Sequence, residues 1–248
     1  MSSHGLVQID GLSPIKKEDR KQSKVMLLFP PEWVPTAPYL ALPMLTAVLR
    51  EAGHQVVQRD INIEMYDHFF SMEFLIWVKG RLGMHLKPLQ DKEKAGTLTE
   101  QEASQKAVLE DAYAVDVFDL AERAEDAKLV VRGERFYEAE KLERALNTFR
   151  EAMQYISAAY YPASLVFYPM ESNLGYRPGV SKEVFACLDD EQVNVYRDIC
   201  NQLVLPSVSK EKPAVIGISI GTQMQLMAGL TFCKMIKESF PEIRVVVG

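Results

Sequence analysis

Three residue types limit early what chemistry this chain performs by itself. Cys187, Cys200 and Cys233 stand 13 and then 33 positions apart. A zinc ribbon, an iron–sulfur run or a redox pair needs cysteines only about two to four positions apart, so that thiolates converge on one centre. These three read instead as small buried hydrophobes. His4, His54, His68 and His85 form no HExxH or comparable pair, and His68 reads as a packing residue. No P-loop or GxGxxG fingerprint occurs anywhere. The expected catalytic and metal-ligating sets are therefore empty.

The polar groups gather in other places. Asp60 and Asn62 close one apolar run; Ser219, Gly221, Thr222 and Gln223 close another, where a helix begins. Free backbone N–H groups at such a start favour an anion or a set of amide groups. Thr222 reads equally as a plain helix cap, and Asp60 and Asn62 as turn formers. A third run ends in FPPEWVP, which brings Pro30, Pro31, Glu32 and Trp33 to the position of a phosphate loop. Prolines donate no N–H, so this loop suits a large flat ligand better than a phosphate. Only Arg59 and Lys24 are basic and close in sequence to these ends.

The elements that must position these residues follow from apolar periodicity. Val25–Phe29 (VMLLF) is a continuous apolar run, the pattern of a strand buried on both faces. Leu42, Leu45, Val48 and Leu49 predict an amphipathic helix ended by Gly53, and Gln55–Asn62 a second strand. Pro213–Gly221, Met224–Ser239 and Ile243–Val247 repeat the strand–helix–strand order. Ligands of such sheets sit outside the carboxyl ends of the strands, where the strand order reverses. Pro30–Trp33, Asp60, Asn62, Ser219–Gln223 and Gly248 all fall at those ends.

The middle of the chain has another character. Thr99 and Glu102 form a capping box before a long helix. Leu142, Ala145, Leu146, Phe149, Met153 and Ile156 mark one helical stripe within Phe136–Tyr160, and Tyr66–Leu82 is apolar, aromatic and also predicted helical. No second copy of these patterns occurs, which argues against a repeat array. The expected organisation is a mobile leader at 1–23, one α/β domain built from 24–64 and 205–248, and a mainly helical insertion at 65–204 that packs on the sheet or covers its ligand edge.

Composition bounds the partners. The chain has 248 residues, 48% of them hydrophobic and 25% charged, with a formal charge of -6. An acidic balance argues against nucleic acid, which needs a basic face. No apolar stretch approaches the roughly 18–20 residues that span a bilayer, so no membrane partner is expected. The first 24 residues lack the apolar core of a signal peptide, and a cytoplasmic location is expected.

Two segments carry a resemblance. VMLLFPPEWVPTAPYLALPMLTAVLREAGHQVVQRDIN is similar to the opening of radical SAM enzymes with an N-terminal cobalamin-binding domain, where a V-L-L-x-x-P-P strand end precedes an L-A-x-L-R-x-A-G-H helix and a strand ending in D-x-N. PAVIGISIGTQMQLMAGLTFCKMIKESFPEIRVVVG resembles the unit that follows. Together they cover about 75 of the 248 residues. The closest branch carries a long helical segment after the second strand and modifies ribosomally made peptides.

The resemblance implies an open doubly wound parallel sheet, a Rossmann-like cobalamin-binding fold with a large helical insertion after the second strand. It implies cobalamin at Pro30, Pro31, Glu32, Trp33, Asp60, Asn62, Ser219, Gly221, Thr222, Gln223 and Gly248, with the proline loop along the corrin ring. Two departures qualify it. The D-x-H-x-x-G histidine loop of the best-known cobalamin modules is absent, so no such histidine would hold the lower face of cobalt. The C-x-x-x-C-x-x-C motif is absent too. The 4Fe–4S cluster and S-adenosylmethionine would then belong to a downstream radical SAM domain, and the chain is expected to be a fragment, not catalytic by itself, of a methyltransferase-like or peptide- or natural-product-modifying enzyme with a peptide or small-molecule substrate. Two other readings stay open. One is a non-catalytic peptide- or protein-interaction module on the same scaffold, with Phe69, Phe70, Phe74 and Trp77 as exposed anchors. The other is a transferase using a nucleotide-activated donor, with Arg59 and Lys24 as its only nearby cations.

Overall fold

A computed structural model describes residues 22–35, 37, 39–167 and 172–248. The expected leader lies outside the described residues except for positions 22 and 23, as do Thr36 and Pro38 of the proline loop. Four strands, β1 (Lys24–Phe29), β2 (Gln55–Asp60), β3 (Val215–Ile218) and β4 (Arg244–Val247), form one all-parallel sheet in the order β2-β1-β3-β4. β1 takes the centre because both of its faces are apolar: Val25 to Phe29 are all buried. Its register sets Phe29 beside Asp60 and Leu28 beside Ile218.

The boundaries differ from the pattern reading for local reasons. β2 stops at Asp60 rather than Asn62 because the Asp60 carboxylate accepts the Ile63 N–H at 3.1 Å and starts a helix. β3 spans only four of the nine residues in the apolar run, since Pro213 has no N–H to give a ladder and the chain leaves the sheet after Ile218. Helix α1 (Ala41–Glu51) ends as expected at Gly53. There φ is +90°, and the Gly53 and His54 amides bond to the Arg50 and Leu49 carbonyls in a Schellman arrangement. Its predicted stripe is only half used. Leu42 and Thr46 are buried, whereas Leu45 and Val48 are 45% and 63% exposed, because α1 meets the sheet along one narrow edge fixed by a 2.8 Å hydrogen bond from Thr46 to Gln58.

Among the described residues, eight α-helices lie between β2 and β3. They are α2 (Ile61–Phe69), α3 (Met72–Lys94), α4 (Glu100–Tyr113), α5 (Val117–Arg132), α6 (Ala139–Ala158), α7 (Ser181–Asp189), α8 (Val195–Ile199) and α9 (Leu205–Glu211). The apolar stretch Tyr66–Leu82 is two helices, because Ser71 caps α3 by accepting the Phe74 amide at 3.2 Å. The Thr99–Glu102 capping box is present on α4. The stripe of α6 faces inward, with Ala145, Phe149, Met153 and Ile156 buried. A π-helical turn, Cys200–Val204, joins α8 to α9, and α10 (Leu226–Ser239) connects β3 to β4.

Alternation along β1 sorts the core into two. Val25, Leu27 and Phe29 pack with Leu42 of α1 on one face. Met26 and Leu28, with Ile216 and Ile218 of β3, join Phe232 and Ile236 of α10 and the helices of the middle region in one continuous core. Phe69, Phe70 and Phe74 are buried within that core at 1%, 2% and 0% exposure. This corrects their reading as exposed peptide anchors: they are the apolar faces by which α2 and α3 pack.

Candidate functional site

The strand order reverses between β1 and β3. From β1 the chain crosses to β2 on one side, and from β3 to β4 on the other. The loops leaving these two central strands must diverge, and the gap between them is the place where such sheets take ligands. Pro30–Trp33 follows β1 and Ser219–Gln223 follows β3, so the two loops singled out in the sequence lie side by side at that reversal.

A buried glutamine ties the loops together. Gln225 sits in a 3-10 turn, Gln223–Gln225, that precedes α10. Its Nε2 donates to the Pro30 carbonyl at 2.7 Å, and its Oε1 accepts the Gly221 amide at 2.8 Å. On the α1 side, Tyr39 stacks on Phe29 with ring centroids 4.0 Å apart, and its hydroxyl lies 3.1 Å from Ser219 Oγ. Gly221 leaves room for this ring: a Cβ there would stand 3.2 Å from the Tyr39 hydroxyl oxygen. Trp33 packs edge-on against both Phe29 and Tyr39, and its indole N–H donates to the Ala37 carbonyl at 2.8 Å.

Asn62, 1% exposed, holds the other end of the loop. It accepts the Trp33 amide at 3.0 Å and donates to the Trp33 carbonyl at 3.1 Å. The expected site residues thus divide by what they do. Pro30–Trp33 and Ser219–Gln223 lie at neighbouring strand ends; Pro30 and Pro31 are buried, and Glu32 and Gln223 line one cavity. Asn62 supports the first loop from beneath, and Asp60 is committed to capping α2. Gly248 continues the β3–β4 ladder through the Ile218 carbonyl and the Ile220 amide and is exposed.

Thr222 departs from the simple cap reading. It precedes the 3-10 turn, yet its side chain makes no capping bond, and Oγ1 is buried without a partner. A buried hydroxyl in that state is costly.

Glu32 turns to the α10 side of the crevice. It is 5% exposed, accepts the Tyr196 hydroxyl of α8, and accepts the Ser172 amide at 3.4 Å. Burial pushes its carboxyl above the ordinary 4.5, against the lowering effect of those hydrogen bonds. Beside it opens a cavity of about 270 Å³ that Gln223, Met224 and Met227 also line.

Tyr39, Gln225, Ser172 and Tyr196 complete the site, and none of them carries a sequence signal of that role.

The remaining chemistry-bearing groups are occupied. Arg59 pairs with Glu64 and donates to the Leu203 carbonyl at 2.7 Å, and Lys24 pairs with Glu211 at 2.5 Å at the far end of β1. His68 contacts Gln202 at 2.6 Å and packs against Phe74, and His54 accepts the Ser23 amide at 3.3 Å. Burial pushes the Cys187 thiol up to about 12 and the Cys233 thiol to about 11, so both stay protonated near neutrality. Among the described residues, no group of three or more His, Cys, Asp or Glu side chains could hold a metal ion, and no helix is long and apolar enough to cross a membrane. Compared with known protein families, curated proteins and solved structures, the chain matches none.

Proposed function

We propose that this chain is a cobalamin-binding module that serves a radical SAM enzyme of the methyl-transferring or peptide- and natural-product-modifying kind. The reading rests on the resemblance of its two βαβ segments. One structural observation supports it most: the loops after β1 and β3 lie side by side at the strand-order reversal and are tied together by the buried Gln225. The sheet order β2-β1-β3-β4 is compatible with a Rossmann-like doubly wound fold.

The residues present fit the group. A corrin ring is broad and apolar on its faces and rimmed by amides. Trp33, half-buried, offers an apolar ring, and the buried prolines before it have no N–H groups for a phosphate, while Ser219 and Gln223 offer a hydroxyl and an amide for the rim. Tyr39 and Gln225 keep the two walls at a fixed separation, so little ordering is left for binding to impose. No histidine lies in either loop, and the lower face of cobalt is not held by one. Bound cobalamin supplies the methyl-carrying metal centre; this chain binds and orients it. The 4Fe–4S cluster and S-adenosylmethionine belong to a radical SAM domain outside this chain.

Titration with hydroxocobalamin, followed by its visible absorption, tests the reading. Saturable binding of one equivalent, weakened in Trp33→Ala, supports it. An unchanged spectrum and no co-elution on gel filtration overturn it.

A second reading, the peptide-interaction module, draws on a different observation. A mostly apolar cavity of about 470 Å³ opens between α2, α5 and α6, walled by Tyr66, Phe70, Phe149 and Phe167. An apolar peptide that binds with hydroxocobalamin inert would favour it.

A further inference from the structure

The cavity beside Glu32 joins four parts of the chain that are distant in sequence: Glu32 from the loop after β1, Ser172, Leu174, Tyr176 and Pro178 from the segment before α7, Tyr196 from α8, and Gln223, Met224 and Met227 around the start of α10. We propose that it binds a small primary amine, with the ammonium on the Glu32 carboxylate and the hydrocarbon part against Met224, Met227 and Leu174. The inference does not depend on cobalamin binding.

The argument starts from charge. Glu32 is nearly fully buried, and its hydrogen-bond partners among the described residues, the Tyr196 hydroxyl and the amide and side chain of Ser172, are neutral donors. Among the described residues no Lys, Arg or His forms an ion pair with it. The wall behind the cavity adds a second acid, because Tyr176 gives its hydroxyl to Asp190 at 2.7 Å. The nearest basic residue on that segment, Arg177, is committed to Glu183. An ionised carboxylate buried without a counter-charge is strongly unfavourable, and a cation entering the cavity relieves it.

Geometry then narrows the class. A carboxylate has about four lone-pair sites, of which the Tyr196 hydroxyl and the side chain and amide of Ser172 fill three, which leaves an acceptor for an N–H group of an ammonium. Gln223 adds an amide oxygen at the rim. The thioethers of Met224 and Met227 with Leu174 present an adaptable apolar floor, suited to a short alkyl or arylalkyl body. A carboxylate or phosphate ligand would meet Glu32 and, among the described residues that line the cavity, no cation, and is disfavoured by that charge.

The test uses the whole chain and two probes of equal shape, 2-phenylethylamine and 2-phenylethanol, titrated by calorimetry at neutral pH. We expect the amine to bind roughly ten- to hundredfold tighter than the alcohol, the ratio that a charge-assisted hydrogen bond supplies. In Glu32→Gln the preference should vanish while the alcohol is unaffected. Equal binding of the two probes by the unmodified protein overturns the proposal, as does failure of the amine to bind at all. These comparisons need no variant, so a poorly folding Glu32→Gln would not spare the proposal. Retained amine preference in a folded Glu32→Gln overturns it as well.

Discussion

Gln225 and Pro30 lie 195 positions apart in the chain and are joined by a 2.7 Å hydrogen bond from the buried Gln225 side chain to the Pro30 carbonyl. With its second bond to the Gly221 amide, one side chain closes both loops of the central strands. Removing it leaves a buried carbonyl and a partly buried amide unpaired, each worth roughly 1–3 kcal/mol. Gln225→Leu should therefore lower unfolding stability by about 2–4 kcal/mol in urea denaturation, with an unchanged m-value. A loss below about 0.5 kcal/mol would show that the loops hold their separation without it.

Glu32 sets a pH dependence whose sign follows from its burial. Its folded-state pKa is raised above 4.5, chiefly because burial disfavours the charge. The folded state therefore holds the proton more tightly than the unfolded chain. The stability this confers is fully present below pH 4.5 and is lost as pH rises through the raised value. Glu32→Gln cannot ionise and should escape that loss. Urea midpoints compared from pH 4.5 upward should show the variant gaining on the parent as pH rises. A constant difference would mean that Glu32 titrates alike in both states.

How much of this was legible in the sequence depends on the range of the interaction. Val25–Phe29, Gly53 and the Thr99–Glu102 box act within one element, and their roles were read directly. The break between α2 and α3 was missed because Phe70, stacked on Phe149 at 4.4 Å, keeps the apolar period running through it. Leu45 and Val48 share the apolar face expected of α1 yet are exposed, since periodicity shows which residues share a face, not how wide a contact the sheet offers. At the candidate site, the loops were placed by strand ends alone. Tyr39, Gln225 and Tyr196 were not, because each acts through a partner at least 160 residues away or on another element. No local pattern encodes such a pair.

Gly229 on α10 lies beneath the crevice. A Cβ there would meet Ile220 Cδ1 at 2.5 Å and Cγ1 at 2.9 Å, with the Pro30 ring next at 3.5 Å. Alanine gains about 1 kcal/mol of helix propensity over glycine, while overpacking costs about 1–3 kcal/mol. Gly229→Ala should then be destabilising by up to about 2 kcal/mol. In an Ile220→Ala background the clash is gone, and the same change should turn stabilising by up to about 1 kcal/mol. A double-mutant cycle by thermal unfolding measures this reversal. Additive effects would mean that Ile220 moves aside at no cost.

Thr222 offers a sharper separation between stability and binding. Its hydroxyl is buried with no partner, so the folded protein carries an unmet polar group that a valine of the same shape would not. Thr222→Val should raise the stability of the ligand-free protein by about 1 kcal/mol. If the hydroxyl meets an amide of the corrin rim, the same change should weaken hydroxocobalamin binding roughly tenfold, as loss of one buried hydrogen bond does. Opposite signs in the two measurements are the mark of a residue kept for a ligand at the expense of the fold. A variant more stable and equally good at binding would show that the hydroxyl does not reach the ligand. One that is less stable would show that it finds a partner within the protein itself.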